Sequence, residues 1–382
     1  MPRRDDHGTS GCTIGILADP EAPTRLANRL AKALPDELAD GDADRSPATV
    51  DVVSEPFTTG SEDAATLLDR IEEHVDGRDW DVAIGLTELP LHAKRKYLVA
   101  DVNLGTRSAL VSLPALGGIR LYSAALRAVS DLVAELAEQR PAAADRDVDP
   151  SDFEDVLTGR STPIRGGPTP EDEAADFRFV AQGIWGRLRL LAGMVRTNQP
   201  WKLVPGLSKA LAAALATGAI ATVNSTVWLL SSTLSVTRLT IAMLGSIALI
   251  VGWLIIDAQL WHRSRDDSPE GKERRALYNT STVLTVTCGG LICYAALYVI
   301  NLLWALFLVN GHAFQRMVGH SMSGADYFTL SWLVASAATV GGALGSGLES
   351  DEAIRAAAFG KREQERRQML EEERREDSGS SS

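Results

Sequence analysis

The second half of the chain alternates between long apolar runs and short polar stretches. Four runs stand out, at residues 210–230, 239–261, 283–309 and 327–348. Each reaches the roughly 20 residues that a helix needs to cross a hydrocarbon core of about 30 Å. The pattern therefore predicts four transmembrane helices within residues 207–349. The third run contains Gly289-Gly290 but is too short for two crossings, so we expect one tilted or kinked helix there.

The first part of the chain has short apolar runs typical of strands, separated by stretches with helical periodicity. Strands are predicted at residues 13–18, 49–54 and 81–86, and helices at residues 23–34 and 63–75. This β-α-β-α-β order predicts an α/β domain over residues 12–139 with a mainly parallel sheet. Two further runs predict a hairpin that adds an antiparallel edge, and a helix over residues 119–138 closes the domain.

Polar segments surround these two regions. Residues 1–11 lack the apolar core of a signal peptide and are predicted to be disordered. Residues 140–175 are rich in Asp, Pro, Gly and Ala without an apolar period, which predicts a flexible linker. Residues 350–382 form a charged tail, for which we expect a solvated helix or a frayed end.

A short amphipathic helix is predicted at residues 176–199, directly before the first apolar run. Its apolar positions recur every three or four residues, and arginines lie between them. We expect this helix to lie in the bilayer interface, where Arg187, Arg189 and Arg196 would contact anionic lipid headgroups. The alternative is that the helix packs on the soluble domain.

The distribution of Lys and Arg predicts the orientation of the bundle. Basic residues are dense before the first run, between the second and third, and after the fourth, whereas the other two loops hold only Arg238 and Arg316. Because loops rich in Lys and Arg stay on the cytoplasmic side, both termini are expected in the cytoplasm. The chain is thus predicted to be a multi-pass protein of the plasma membrane. The abundance of Arg and Ala suggests a GC-rich bacterial source.

Charge and cysteine content narrow the function classes. The formal net charge is −12, and the acids are concentrated before the bundle, which argues against a nucleic-acid partner. Cys12, Cys288 and Cys293 form no CxxC pair and predict no disulfide framework.

Candidate site residues of the α/β domain follow the predicted strands, since ligands of such sheets bind at the carboxyl ends. Asp19 and Glu88 follow two strands, and Asp101 and Arg107 lie on the hairpin, so together they could form a small polar ligand site. Acids at strand ends are also common as helix caps and turn formers. GxGxxG, Walker A and GxSxG patterns are absent, so no catalytic residue and no cofactor is assigned.

Two polar residues of the apolar runs are candidates for a membrane function. Asp257 lies near the cytoplasmic boundary beside His262 and Arg263, where an interfacial ion pair competes with a cation or proton site. Asn301 is expected to bond across helices in preference to binding a substrate. In the fourth run, Gly341 and Gly345 fall on one face and predict close helix packing, either within the bundle or with a second subunit of a homo-oligomer.

One resemblance concerns the stretch IGLTELPLHAKRKYLVADVNLGTRSALVSLPAL and the β-α-β-α order before it. This region, about residues 13–138, resembles the strand-and-hairpin region of archaemetzincin-type zinc peptidases. That family carries HExxH on the next helix, whereas the corresponding GGIRLYSAALRAVSDLVAEL has no His, so the resemblance transfers no metal ligand. The whole chain also resembles actinobacterial membrane proteins that pair such a domain with several C-terminal spans, which implies no activity.

These patterns leave three hypotheses about function. The favoured one is a non-enzymatic membrane protein whose cytoplasmic domain binds a protein or a small ligand, as a scaffold or binding protein. The second is a transporter or channel subunit with a regulatory domain, in which Asp257 or Asn301 would affect flux. The third is a membrane-tethered enzyme that uses Asp19, Glu88 or Asp101 as acid or base.

Overall fold

A computed structural model describes residues 12–41, 48–58, 63–93, 96–138, 164–169, 175–181, 183–261 and 268–346. The chain divides into two compact units, Met1–Thr197 and Asn198–Ser382, which are described separately. The predicted disordered start at 1–11 and the predicted tail at 350–382 lie outside the described residues, as does most of the predicted linker.

The first unit contains one mixed sheet. Its strands are β1 Thr13–Ala18, β2 Thr49–Ser54, β3 Val82–Thr87, β4 His92–Ala93, β5 Lys96–Asn103, β6 Ser108–Ser112, β7 Ile164–Pro168 and β8 Phe177–Ala181. The order across the sheet is β2-β1-β3-β6-β5-β8-β7, and β4 pairs with the start of β5. β2, β1, β3 and β6 are parallel, whereas β5, β8 and β7 are antiparallel to their neighbours. The predicted α/β class is confirmed, but the sheet is mixed and not mainly parallel, because β5, β8 and β7 form a second, antiparallel half.

Burial explains which strands are central. All six residues of β3 and five of the six in β1 are buried, as expected for strands covered on both faces, whereas β2 at the edge is largely exposed. Helices α1 Ala22–Gly41, α2 Ala64–Asp76 and α3 Leu121–Glu138 accompany the sheet. α1 packs with α3, and α2 packs on β3 and β6, where Gly85 leaves room for Ile71.

The sheet extends further than the sequence predicts. The β5–β6 hairpin is not an edge, because β8 pairs with β5 and β7 pairs with β8. β7 lies in the predicted linker, and the segment predicted as a helix from 176 begins as strand β8. The physical reason is that β5 would otherwise present an unpaired edge, and Phe177, Phe179 and Val180 become buried when β8 covers it.

Helix α4 Gly183–Thr197 completes the first unit. It begins at Gly183, whose left-handed φ of 68° permits the sharp change from strand to helix. α4 packs on a 3₁₀ turn, Pro114–Leu116, that follows β6. Of the two alternatives for this helix, packing on the soluble domain is therefore observed for one of its faces.

The second unit is helical. Its helices are α5 Leu203–Gly206, α6 Ser208–Val223, α7 Ser225–Thr233, α8 Val236–Asp257, α9 Pro269–Leu308, α10 Gly311–Val318 and α11 Gly324–Ser346. Among the described residues, α8, α9 and α11 are each long and apolar enough to cross a membrane. A fourth crossing is reached only if the bent pair of Gly183–Gly206, which includes α4, and Ser208–Val223 is counted as one span.

The first and third predicted spans differ in continuity. The first is divided at Asn224, whose extended backbone ends α6 and whose side-chain Oδ1 accepts a hydrogen bond from the Thr226 amide to cap α7. The third is one helix of 40 residues without a break at Gly289-Gly290. Gly289 instead lies against Leu203 and the Pro200 carbonyl, so it serves close packing.

Candidate functional site

Asp19 lies at the carboxyl end of β1 and is fully buried. Its carboxylate accepts a hydrogen bond from the Thr58 hydroxyl, with distances of 3.1 and 3.3 Å from Thr58 Oγ1 to the two carboxylate oxygens. Its backbone carbonyl accepts hydrogen bonds from both the amide and the hydroxyl of Thr24, which fixes the start of α1. These bonds tie β1, α1 and the segment after β2 together, which is a structural role.

Glu88 directly follows β3, the strand that neighbours β1, and is half-buried. The turn that follows it is held by its own hydrogen bonds. The Leu89 amide donates to Thr87 Oγ1 at 3.1 Å, and the Ser112 hydroxyl donates to the Leu89 carbonyl at 2.7 Å. Asp19 and Glu88 therefore share one edge of the sheet.

Asp101 forms the central ion pair of the antiparallel half of the sheet. It lies in β5 directly opposite Arg178 of β8. Arg178 donates from Nε to Asp101 Oδ1 and from Nη2 to Oδ2, each at 2.8 Å, in a bidentate arrangement. The Asp101 side chain has no exposed surface, and that of Arg178 is 17% exposed. The sequence does not indicate that Arg178 pairs with Asp101, because 77 positions separate the two residues.

Arg107 lies at the other end of the sheet. It occupies the β5–β6 turn with a left-handed φ of 51°, and its carbonyl accepts a hydrogen bond from Ala83 near the start of β3. Because β6 runs parallel to β3, this turn is at the amino ends of the parallel strands, opposite Asp19 and Glu88. The four candidates predicted to form one polar site are thus not brought together.

Two polar residues of α2, His74 and Glu72, make contacts that the sequence does not predict. His74 Nε2 lies 2.7 Å from a Glu55 carboxylate oxygen, and its Nδ1 lies 2.7 Å from the Arg70 carbonyl. The Glu72 carboxylate accepts hydrogen bonds from Asn103 Nδ2 at 2.8 Å and from the Thr106 hydroxyl at 2.9 Å. These contacts hold α2 to the segment after β2 and to the β5–β6 turn.

The Arg189 side chain forms its hydrogen bonds inside the first unit. It points from α4 to the Leu116 carbonyl, which accepts from Nε at 3.0 Å and from Nη2 at 2.8 Å. Desolvation, together with the nearby positive charge of Arg127, lowers the pKa of Arg189 below its ordinary value. On the same helix face Gly193 lies so close to Pro114 that a Cβ would overlap the Pro114 carbonyl. Arg187 and Arg196 are exposed, so the predicted headgroup contacts remain a prediction for these two residues.

Asp257 and Asn301 have different environments. Asp257 is the last residue of α8 and is half-buried, and its predicted partners His262 and Arg263 lie outside the described residues. Asn301 is buried in α9 and donates from Nδ2 to the Leu297 carbonyl of its own helix at 2.8 Å. Its Oδ1 lies against Gly218 of α6. Asn301 thus packs across helices, while this hydrogen bond stays within α9.

Gly341 and Gly345 pack against α6 within the same bundle. A Cβ at Gly341 would meet the Thr217 side chain, and a Cβ at Gly345 would meet Ala213. Gly342 between them lies against Ala210 and Ala214. Small residues on both helices therefore allow the two backbones to approach closely, as is common in membranes.

The bundle encloses a small apolar cavity of about 10 Å³ between α6, α8, α9 and α11, lined by residues such as Ala214, Ile250, Leu297 and Thr339. A space of this size holds at most one water molecule. Within the part of the chain that the structure describes, no group of three His, Cys, Asp or Glu residues could hold a metal ion. The described geometry thus shows neither a substrate cavity here nor a metal centre.

Comparison with known proteins adds no assignment. No protein family, no curated protein and no solved structure matches the chain.

Proposed function

We propose that the chain is a plasma-membrane protein with four spans and with both termini in the cytoplasm. Three apolar helices support the membrane placement, and α5 together with α6, the part of the bent pair that follows α4, would supply the fourth span. The alternation of Lys- and Arg-rich flanks supports the orientation.

We further propose that the α/β domain is a non-enzymatic binding module, which makes the protein a membrane-bound scaffold for a partner protein. The proposal is supported by the structural contacts and positions of the candidate site residues. Asp101 is fully engaged by Arg178, Asp19 joins three segments of the fold, and Arg107 lies at the far end of the sheet. An acid or base at work in catalysis needs access to a substrate, which the buried carboxylates of Asp19 and Asp101 do not have.

Chemical crosslinking in native membranes, followed by purification of the full-length chain, tests this proposal. We expect wild type and Glu88→Gln to recover the same partner protein in near-equal amounts. Asp101→Ala, which disrupts the antiparallel half of the sheet, should lose it.

A substrate screen on the same purified protein supplies the contrary outcome. Turnover of any metabolite that is abolished by Glu88→Gln or Asp19→Asn would favour the membrane-tethered enzyme and contradict the scaffold. Ion or solute flux into vesicles that is changed by Asn301→Ala would instead favour the transporter.

A further inference from the structure

The outer face of α4 is apolar and exposed. Ile184 and Trp185 are 76% and 75% exposed, and Leu188 is 50% exposed. Ile184 and Leu188 are four residues apart and Trp185 and Leu188 three apart, so the side chains share one helix face. Ile119, which is 87% exposed, follows Gly118, whose backbone lies against the Ala192 carbonyl of α4. We call these four residues the α4 patch.

The opposite face of α4 fixes this orientation. Gly186 lies against Ala181, Gly193 lies against Pro114, and Arg189 binds the Leu116 carbonyl with two donors. Leu190 and Met194 are buried on the same side. Because both ends of the helix are held by close backbone contacts, α4 cannot turn its apolar face inward. The α4 patch is therefore left open by the residues that the structure describes in the first unit, and large apolar residues clustered on a surface mark interaction sites.

Charge favours an anionic partner. The helix GIWGRLRLLAGMVRT contains three arginines and no acid, in a chain whose net charge is −12. Arg196 continues the exposed stripe two turns beyond Leu188, and Arg187 adjoins the patch, with its guanidinium 5.9 Å from the centre of the Tyr97 ring. Exposed Trp and Ile beside Arg is the composition of helices that lie at the boundary between headgroups and acyl chains.

Chain continuity selects the bilayer as that partner. Only residues 198–207 separate the end of α4 from the start of α6, where the first apolar segment begins. Even fully extended, a segment of this length spans at most roughly 35 Å, because each residue adds about 3.3–3.6 Å. If α6 enters the membrane, α4 is therefore held close to the membrane surface.

We propose that the α4 patch inserts into the inner leaflet and that Arg187 and Arg196 contact anionic lipid headgroups, so that the α/β domain is docked on the membrane by one fixed helix face. This inference rests on the proposed membrane placement of the helical unit. It assigns Arg189 to the domain interior, the apolar insertion to the N-terminal half of α4 together with Ile119, and the headgroup contacts to Arg187 and Arg196.

The test is lipid photo-crosslinking of the full-length chain in nanodiscs of phosphatidylcholine, with or without phosphatidylglycerol. The photoreactive residue p-benzoylphenylalanine replaces Leu188 in the α4 patch, Asp69 on the exposed surface of α2, or Ile241 on the exposed surface of α8. We expect lipid adducts at 188 and 241 and few at 69. We also expect phosphatidylglycerol to increase the adducts at 188, and the double substitution Arg187→Gln, Arg196→Gln to remove that increase.

Three results would overturn the inference, and they can be told apart. Adducts at 241 with none at 188 would refute the docking alone and leave the membrane placement intact. Crosslinks from 188 to a second copy of the chain in place of lipid would assign the α4 patch to self-association. Absence of adducts at 241 would refute the membrane placement itself, and the docking with it.

Discussion

The buried ion pair between Asp101 of β5 and Arg178 of β8 makes the stability of the sheet sensitive to the loss of either residue. The Asp101 carboxylate is out of contact with water, and Arg178 compensates it with two charge-assisted hydrogen bonds. Removing one partner of such a pair leaves the other charge buried, which is more costly than losing the pair altogether. The sheet therefore depends on both residues being present or both being absent.

Asp101→Ala should lower the free energy of unfolding of the domain by about 3 kcal/mol, the low end for such pairs, because Arg178 keeps a solvent-exposed edge. The double substitution Asp101→Leu, Arg178→Met should recover most of that loss. Pulse proteolysis of the full-length protein in urea measures both values. As a control, Asp69→Ala on the exposed surface of α2 should stay within about 0.5 kcal/mol of wild type. A double variant as unstable as Asp101→Ala would contradict the argument.

Asp131 on α3 gives the domain a pH dependence. Desolvation raises the pKa of Asp131 to about 6 and Glu37 adds to this, while Arg127 opposes it. Since the folded pKa lies above the unfolded value of 3.8, the protonated form favours folding. The contribution is complete below about pH 4 and is lost as the pH rises through about 6. The side chain keeps an exposed edge, so we expect a small effect.

The measurement is the melting temperature of the full-length protein at pH 5 and at pH 7.5. Wild type should lose more stability over this interval than Asp131→Asn does. At pH 7.5 the variant should melt slightly higher than wild type, because it no longer carries a partly desolvated charge. An identical pH profile for both proteins would show that Asp131 does not titrate in this range.

Among the elements, the contact between α6 and α11 depends on glycine. Gly341→Ala and Gly345→Ala would place a methyl group against Thr217 and Ala213, and overpacking of this kind costs about 1–3 kcal/mol. We expect a lower melting temperature in detergent for each. Gly252→Ala on α8 is the matched control, because its Cβ meets nothing within 4 Å. The control should be neutral or slightly stabilising, since Ala favours helix over Gly. Equal melting of all three variants would mean that this contact contributes little.

Strand β7, inside the predicted linker, and strand β8, just after it, determine where the α/β domain ends. A fragment that ends at residue 139 lacks β7, β8 and α4, so it leaves β5 unpaired and Asp101 without Arg178. We expect residues 12–139 to aggregate or to lack dispersed amide resonances by NMR. Residues 12–197, kept in a mild detergent because of the α4 patch, should fold. A well-folded short fragment would show that β8 is dispensable.

The sequence predicts some elements well and others poorly for physical reasons. β1 and β2 are predicted with their observed bounds, because apolar runs between turn residues are unambiguous. β7 was missed because IRGGP has two glycines, a proline and no alternation. β8 was missed because Phe177 and Val180 also fit the helical spacing of the residues after them, although the alternation in FRFV was a usable signal. Arg107 lies away from Asp19 and Glu88 because the β5–β6 turn is at the amino ends of the parallel strands, and strand order alone does not supply the direction of that turn.

For the whole molecule, the number of crossings decides where the C-terminus lies. Four spans place both termini on the same side of the membrane, which is the cytoplasm in the proposed orientation, whereas three would place them on opposite sides. With four spans, green fluorescent protein should fluoresce whether it is fused to the N-terminus or to the C-terminus. Alkaline phosphatase fused to the C-terminus should be inactive. An active phosphatase fusion at that end would reduce the count to three and leave α6 outside the spanning set.

The late position of β8 and α4 also has a consequence for biosynthesis. The antiparallel half of the sheet cannot close until residue 181 has been made, and α4 cannot dock until Thr197 has. At roughly 5–20 residues per second, the ribosome reaches the end of α6 only a few seconds later. If α6 is a membrane span as proposed, closure of the domain and insertion of this first segment therefore occur almost together. A delay in either would then leave β5 or the α4 patch uncovered on the nascent chain.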